Sequence, residues 1–357
     1  MLRVVGGLLG PADALAPLRT GHLHGIGIDP LVDRILAPAF SRTSVQGGRL
    51  RTLEDQDMPA EAYSRRTFLN RGMQAAGGLA LAAAGAPAVA RWGFTMKKFE
   101  ISLAAWSVHR MFYAGKLKQI DMPELCRKEL NIGGLELVNS FFPSPQYSYC
   151  KDLLKRASDN GVKILLIMCD GEGDMAHPDQ AEREQAVRNH RKWLDIAAVL
   201  GCHSIRCNAG DAKPGDADAI RRCAGSFAEL VELARPDKLN VLIENHGGMS
   251  SDPNSLLAVI QKVNDPLLGT LPDFGNFPPV VDRYDAVRRM MPYAKAVSAK
   301  CHDFDEAGNE KTTDFTRMIP IVLDAGYSGY VGIEYEGPNP DEAAGVRACQ
   351  RLLERFQ

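Results

Sequence analysis

From Phe99 onward, short apolar and β-branched runs alternate with longer stretches in which apolar residues recur every three or four positions. The short runs read as strands: EISLAAW (100–106), GGLELVN (133–139), VKILLIM (162–168), SIRCN (204–208), NVLIE (240–244), LGTLPD (268–273), AVSAK (296–300) and YVGIE (330–334). The longer stretches read as amphipathic helices. In DADAIRRCAGSFAELVELAR, for instance, Ile220, Ala224, Phe227, Leu230, Val231 and Ala234 share one face. Alternating β and α elements imply a parallel sheet with right-handed crossovers, and eight repeats in about 260 residues match a (β/α)₈ barrel. An open doubly wound sheet is the competitor. It commonly places a glycine-rich turn after its first strand, where this chain has WSVHRMF and no G-x-G-x-x-G. The expected fold is therefore α/β, a (β/α)₈ TIM barrel over residues 97–357.

The preceding residues lack this pattern. Ser64-Arg65-Arg66-Thr67-Phe68-Leu69 has the form of a twin-arginine export signal, followed from Met73 by a Gly/Ala-rich stretch ending at Ala88-Val89-Ala90, an A-x-A cleavage pattern. Residues 58–90 are thus expected to be a signal peptide read by the twin-arginine export machinery, giving a periplasmic or otherwise exported protein. The stretch is too rich in Ala and Gly for a stable membrane span. Residues 1–57 show no sustained period, and are expected to be a disordered extension or an over-extended reading frame, with translation starting at Met58.

A net charge of −2 gives no footprint for nucleic acid or an anionic membrane. The eight cysteines are scattered, with no C-x-x-C pair, and read as buried free thiols.

Chemistry concentrates in the last third of the chain. Four predicted strands end on polar side chains of metal-ligand or acid–base type: Glu244, Asp273, Lys300 with His302 beyond it, and Glu334. In a barrel these tips share one rim, where active sites are built. Three carboxylates and one imidazole (Glu244, Asp273, Glu334 and His302) would suit one divalent ion, Mn²⁺, Mg²⁺, Co²⁺ or Zn²⁺. Glu336 has the strand parity of Glu334 and is a rival or supporting residue. Trp106 and His109 after strand one, Glu136 read as ending strand two, Arg206 and Asn208 ending strand four, His246 and Asn276 are candidates to contact substrate. His190 and Trp193 read as helix packing residues, and His203 as the start of a strand on the opposite rim.

The segments IENHGG, PDFGN, DAGYSGYVGIEYEG and WLDIAAVLGCHSIRCNAG make residues 99–357 resemble the sugar phosphate isomerase/epimerase superfamily of xylose isomerase-like barrels. That superfamily includes ketose 3-epimerases, hydroxypyruvate isomerases, inosose dehydratases and the more distant endonuclease IV. The resemblance implies that Glu244, Asp273 and Glu334 bind metal, with Glu244 and Glu334 also acting as the acid/base pair. It implies an enediolate formed by proton loss beside the carbonyl of a sugar or polyol derivative. Strand seven departs from the pattern: a family histidine two residues before the lysine would fall at Ser298. Either His302 completes the metal site, or Lys300 faces it as acid/base or oxyanion stabiliser. A dehydratase on the same scaffold and an exported sugar-binding barrel without catalysis are the alternatives. Endonuclease chemistry needs a His-rich multi-zinc site and a less acidic surface than this chain offers.

Overall fold

The computed structural model describes residues 97–357. Eight parallel strands, β1 (Glu100–Ala104), β2 (Gly134–Val138), β3 (Lys163–Cys169), β4 (Ser204–Cys207), β5 (Asn240–Glu244), β6 (Leu268–Leu271), β7 (Val297–Cys301) and β8 (Tyr330–Tyr335), hydrogen-bond in the order β6-β5-β4-β3-β2-β1-β8-β7. The remaining seam, β6 to β7, is joined more thinly. Parallel bridges pair Thr270 with Ala294 and Asp273 with Ser298, and the Ser298 N–H donates to the Pro272 carbonyl at 2.9 Å. Pro272 has no N–H to give, which helps explain why the ladder thins there. The result is the expected TIM-type barrel. The expected extension (1–57) and export signal (58–90) lie outside the described residues.

Each strand is buried almost throughout, because helices cover one face and opposing strands the other. Seven longer helices form the outer layer: α1 (Tyr147–Asp159), α2 (Gln180–Leu200), α3 (Ala217–Ala234), α4 (Pro253–Val263), α5 (Arg283–Met290), α6 (Phe315–Asp324) and α7 (Glu342–Glu354). The predicted apolar stripe of α3 is its buried face. Helices α2 to α7 all start behind an aspartate whose carboxylate accepts backbone N–H bonds of the first turn: Asp179, Asp216, Asp252, Asp282, Asp314 and Asp341. Each such cap stabilises its helix by about 1 kcal/mol. Since helices follow strands, these starts lie at the strand-tip end of the barrel.

The boundaries shift in places that matter for the site. β1 stops at Ala104 and the chain turns over Ala105–Val108, β2 runs past Glu136 to Val138, and β7 ends at Cys301. All eight cysteines are free and buried. Among the described residues, no helix is long and apolar enough to cross a membrane.

Candidate metal and acid–base site

Glu244 closes β5 and Glu334 lies near the end of β8, while Asp273 stands two residues beyond β6. Each is at most 4% exposed, and one oxygen from each lies within 4.8 Å of the others. Asp273 is held in place by its neighbour strand. The Asn245 side chain accepts from the Asp273 N–H at 2.8 Å and donates to its carbonyl at 3.0 Å. Asp273 Oδ1 also accepts the N–H groups of Gly275 and Asn276, both at 2.8 Å.

Strand β7 supplies two side chains of the same parity. The Ser298 hydroxyl lies 2.6 Å from Asp273 Oδ2 and 3.1 Å from Glu334 Oε2. Lys300, in register with Glu334, puts its ammonium 2.9 Å from Glu334 Oε1 and 2.9 Å from Glu336 Oε2. Gly275 gives its stem room: a Cβ there would lie 2.9 Å from Lys300 Cγ. Across the site, the buried Arg206 guanidinium donates from Nη1 to Asp170 Oδ1 at 2.7 Å. Its Nε lies 2.8 Å from Glu244 Oε2, yet the N–H is not aimed at that oxygen, and both atoms remain buried without a hydrogen-bond partner. Glu244 Oε1 accepts from Asn276 Nδ2 at 3.0 Å.

The electrostatics follow from crowding. Burial pushes the Glu244 carboxyl up to about 8; Arg206 opposes this, and Glu334 and Asp273 add repulsion. Burial likewise takes Asp273 to about 6, against the pull of Lys300. Glu136 is raised to about 7, again chiefly by burial, with the Ser102 hydroxyl donating to it at 2.6 Å. Four buried carboxylates (Glu136, Glu244, Asp273, Glu334) thus face two buried cations, Arg206 and Lys300. Two further positive charges, or protons in their place, would balance them. The unpartnered Glu244 Oε2, the clustered carboxylates and this deficit fit a divalent cation. Glu244, Asp273 and Glu334 could hold it.

His302 is not part of this group. β7 ends one residue before it, and the His302 N–H turns outward to Glu310 Oε1 at 3.2 Å. Its ring is 37% exposed, with Nδ1 4.0 Å from the same carboxylate. Lys300 is the strand-seven charge that faces the site. Glu136 also differs from its expected place, because β2 continues beyond it. It lies within the barrel below the rim, in space that Gly332 leaves open: a Cβ there would come within 2.5 Å of Glu136 Oε1.

Arg206 and Asn208 converge on Asp170, Asn208 donating to it at 2.9 Å. His246 is exposed on the rim, with its backbone N–H on Ser250 Oγ at 3.0 Å. The Trp106 indole donates to Glu336, stacks on His109 at 4.8 Å between ring centroids, and lies parallel to Phe141 at 6.0 Å. An aromatic wall therefore joins the charged centre through Glu336 and Lys300. Asn245, Ser298 and Asp170 are additions to the candidates read from sequence. Asp170 follows KILLIMC, the same strand-then-carboxylate pattern that marked Glu244. His190 and Trp193 are buried in α2, and His203 precedes β4 at the far end of the barrel.

Fold and site together define an α/β barrel with an acidic centre on its strand-tip rim whose carboxylates could hold a metal ion. The Xylose isomerase-like TIM barrel family matches residues 127–355, and the chain belongs to that family. Two relatives, each named "Putative hydroxypyruvate isomerase", are similar to it. The one from Mus musculus is 28% identical over 225 residues, 57% of this chain and 80% of the relative. The one from Homo sapiens is 26% identical over 246 residues, 62% and 86%. Among solved structures, a xylose isomerase domain protein from Planctomyces limnophilus superposes with a TM-score of 0.58 at 15% identity, covering 73% of this chain and 97% of its own. An L-ribulose 3-epimerase gives 0.58 at 14% identity, covering 72% and 94%. At these identities the structural likeness concerns the fold.

Proposed function

We propose that this chain is a metal-dependent isomerase or epimerase that moves a proton beside the carbonyl of a sugar or polyol derivative. The observation that carries the reading is the convergence of buried Glu244, Asp273 and Glu334, one oxygen of each within 4.8 Å of the others, with Glu244 Oε2 lacking a hydrogen bond. Membership of the family and the names of the two relatives support the reaction class. When bound, a divalent cation would supply Lewis-acid polarisation of the substrate carbonyl. Glu244, whose carboxyl burial raises in the metal-free chain, is the carboxylate assigned to accept the proton and return it. Glu334, with an oxygen within 4.8 Å of one from Glu244, is the second carboxylate for inversion or transfer. Lys300 holds Glu334 in place and can supply positive charge to a developing oxyanion. Trp106, stacked with His109 and Phe141, could wall the pocket beside the sugar. The twin-arginine pattern at Ser64–Leu69 supports export and action on an unphosphorylated sugar.

The test uses the full chain, stripped with a chelator and reloaded separately with Mn²⁺, Mg²⁺, Co²⁺ and Zn²⁺. Deuterium incorporation from D₂O into a panel of ketoses and hydroxy-aldehydes is then followed by mass spectrometry. Metal-dependent exchange that disappears in Glu244→Gln is expected. Tight metal binding without exchange into any substrate would remove the isomerase reading.

A further inference from the structure

The four oxygen-bearing side chains at the centre can be read together. Ser298 is 2% exposed and its hydroxyl carries one proton, yet its oxygen lies 2.6 Å from Asp273 Oδ2 and 3.1 Å from Glu334 Oε2. It can donate to only one of them, so the other contact needs either a proton on that carboxyl or a cation between the oxygens. Neighbouring oxygens in one octahedral shell at 2.0–2.1 Å from an ion stand about 3 Å apart. The Ser298 spacings are of that size. Independently, Glu244 Oε2 is buried in the same cluster without a hydrogen bond, although Arg206 Nε lies 2.8 Å away. Among the described residues, no imidazole or thiolate joins the group. His302 turns to Glu310, and Cys301 alternates with Lys300 onto the opposite face of β7.

We propose, building on the metal-dependent reading above, that the protein's own ligands to the ion are oxygens alone, with the Ser298 hydroxyl as fourth donor beside Glu244, Asp273 and Glu334. A shell of carboxylates and a hydroxyl suits hard cations of the Mg²⁺ and Mn²⁺ type, whereas an imidazole improves the relative affinity for Zn²⁺. Ser298 thereby sets which class of metal the site prefers.

The proposal is tested on the full chain by pulsed electron paramagnetic resonance of the Mn²⁺-loaded protein, with Mn²⁺ and Zn²⁺ affinities measured by calorimetry. The wild type is expected to show no nitrogen coupling from a directly bound imidazole. Ser298→Ala is expected to weaken Mn²⁺ binding by about tenfold, and to lower the melting temperature of the metal-free protein only by what one lost buried hydrogen bond costs. Ser298→His is expected to introduce nitrogen coupling and to raise Zn²⁺ affinity relative to Mn²⁺ by about tenfold. Directly bound imidazole in the wild type, or unchanged Mn²⁺ affinity in Ser298→Ala, overturns the oxygen-only shell while leaving metal dependence standing. A wild type that binds neither ion overturns both.

Discussion

Ser298 and Asp273 meet twice. Their backbones form a parallel bridge across the β6–β7 seam, and their side chains hydrogen-bond at 2.6 Å. The contact that helps close the barrel is therefore also one edge of the candidate metal centre, so changes at this seam should register in both stability and metal affinity.

Asn245 offers the cleanest test of how the site is held. Its side chain satisfies both the N–H and the C=O of Asp273, all within a buried layer. Asn245→Ala would strand both groups away from water, and a loss of about 2–4 kcal/mol is expected. Urea denaturation would measure it. Unchanged stability would mean that water replaces the amide.

Lys300→Met removes the buried ammonium between Glu334 and Glu336. A loss of about 3–5 kcal/mol at neutral pH is expected, because Glu334 is left buried without its counter-charge. Thermal melting would show it, and saturating divalent metal should restore part of the loss. A variant as stable as the wild type would show that Glu334 takes up a proton at little cost.

The pH dependence of the metal-free protein has a definite sign. Glu244 titrates at about 8 and Asp273 at about 6 in the folded chain, against ordinary values of 4.5 and 3.8. The native state therefore holds more protons than the unfolded state between those limits, and stability falls as pH rises. This contribution is fully present below the unfolded values and gone once pH has passed through about 8. Melting curves from pH 5 to 9 should decline for the chelated protein, decline less for Glu244→Gln, and flatten when metal is bound. A rising curve for the chelated protein would contradict the burial argument.

Proton release should accompany metal uptake for the same reason, since bound carboxylates must be ionised. Calorimetry in buffers of different ionisation enthalpy at pH 7 would count those protons, with a smaller release expected for Glu244→Gln. A release of none would mean that the cluster is already ionised when empty.

The strand pattern alone located the barrel and three carboxylates, because a parallel barrel turns each strand end into a position on one rim. What it left open depended on where strands stop. His302 has the parity of Lys300, but β7 ends at Cys301 and the chain turns away towards Glu310. Glu136 resembled a strand tip, but β2 carries on to Val138. Ser298 and Asn245 carry no charge and belong to residue types common in ordinary strands and loops. Their importance comes from what stands on the adjacent strand, which pairing register determines and composition does not.

The thin β6–β7 seam bears on motion. Asp273 stands on one side of it, Ser298 and Glu334 on the other, and isolated bridges with three backbone bonds (Lys295 to Thr270, Ser298 to Pro272, Phe274 to Ser298) span it in place of a continuous ladder. A cation held by both sides would act as a clasp across the least-tied joint of the barrel. Amide hydrogen exchange at Ser298 and Phe274 should therefore be fast in the chelated protein relative to other barrel strands, and should slow on metal loading.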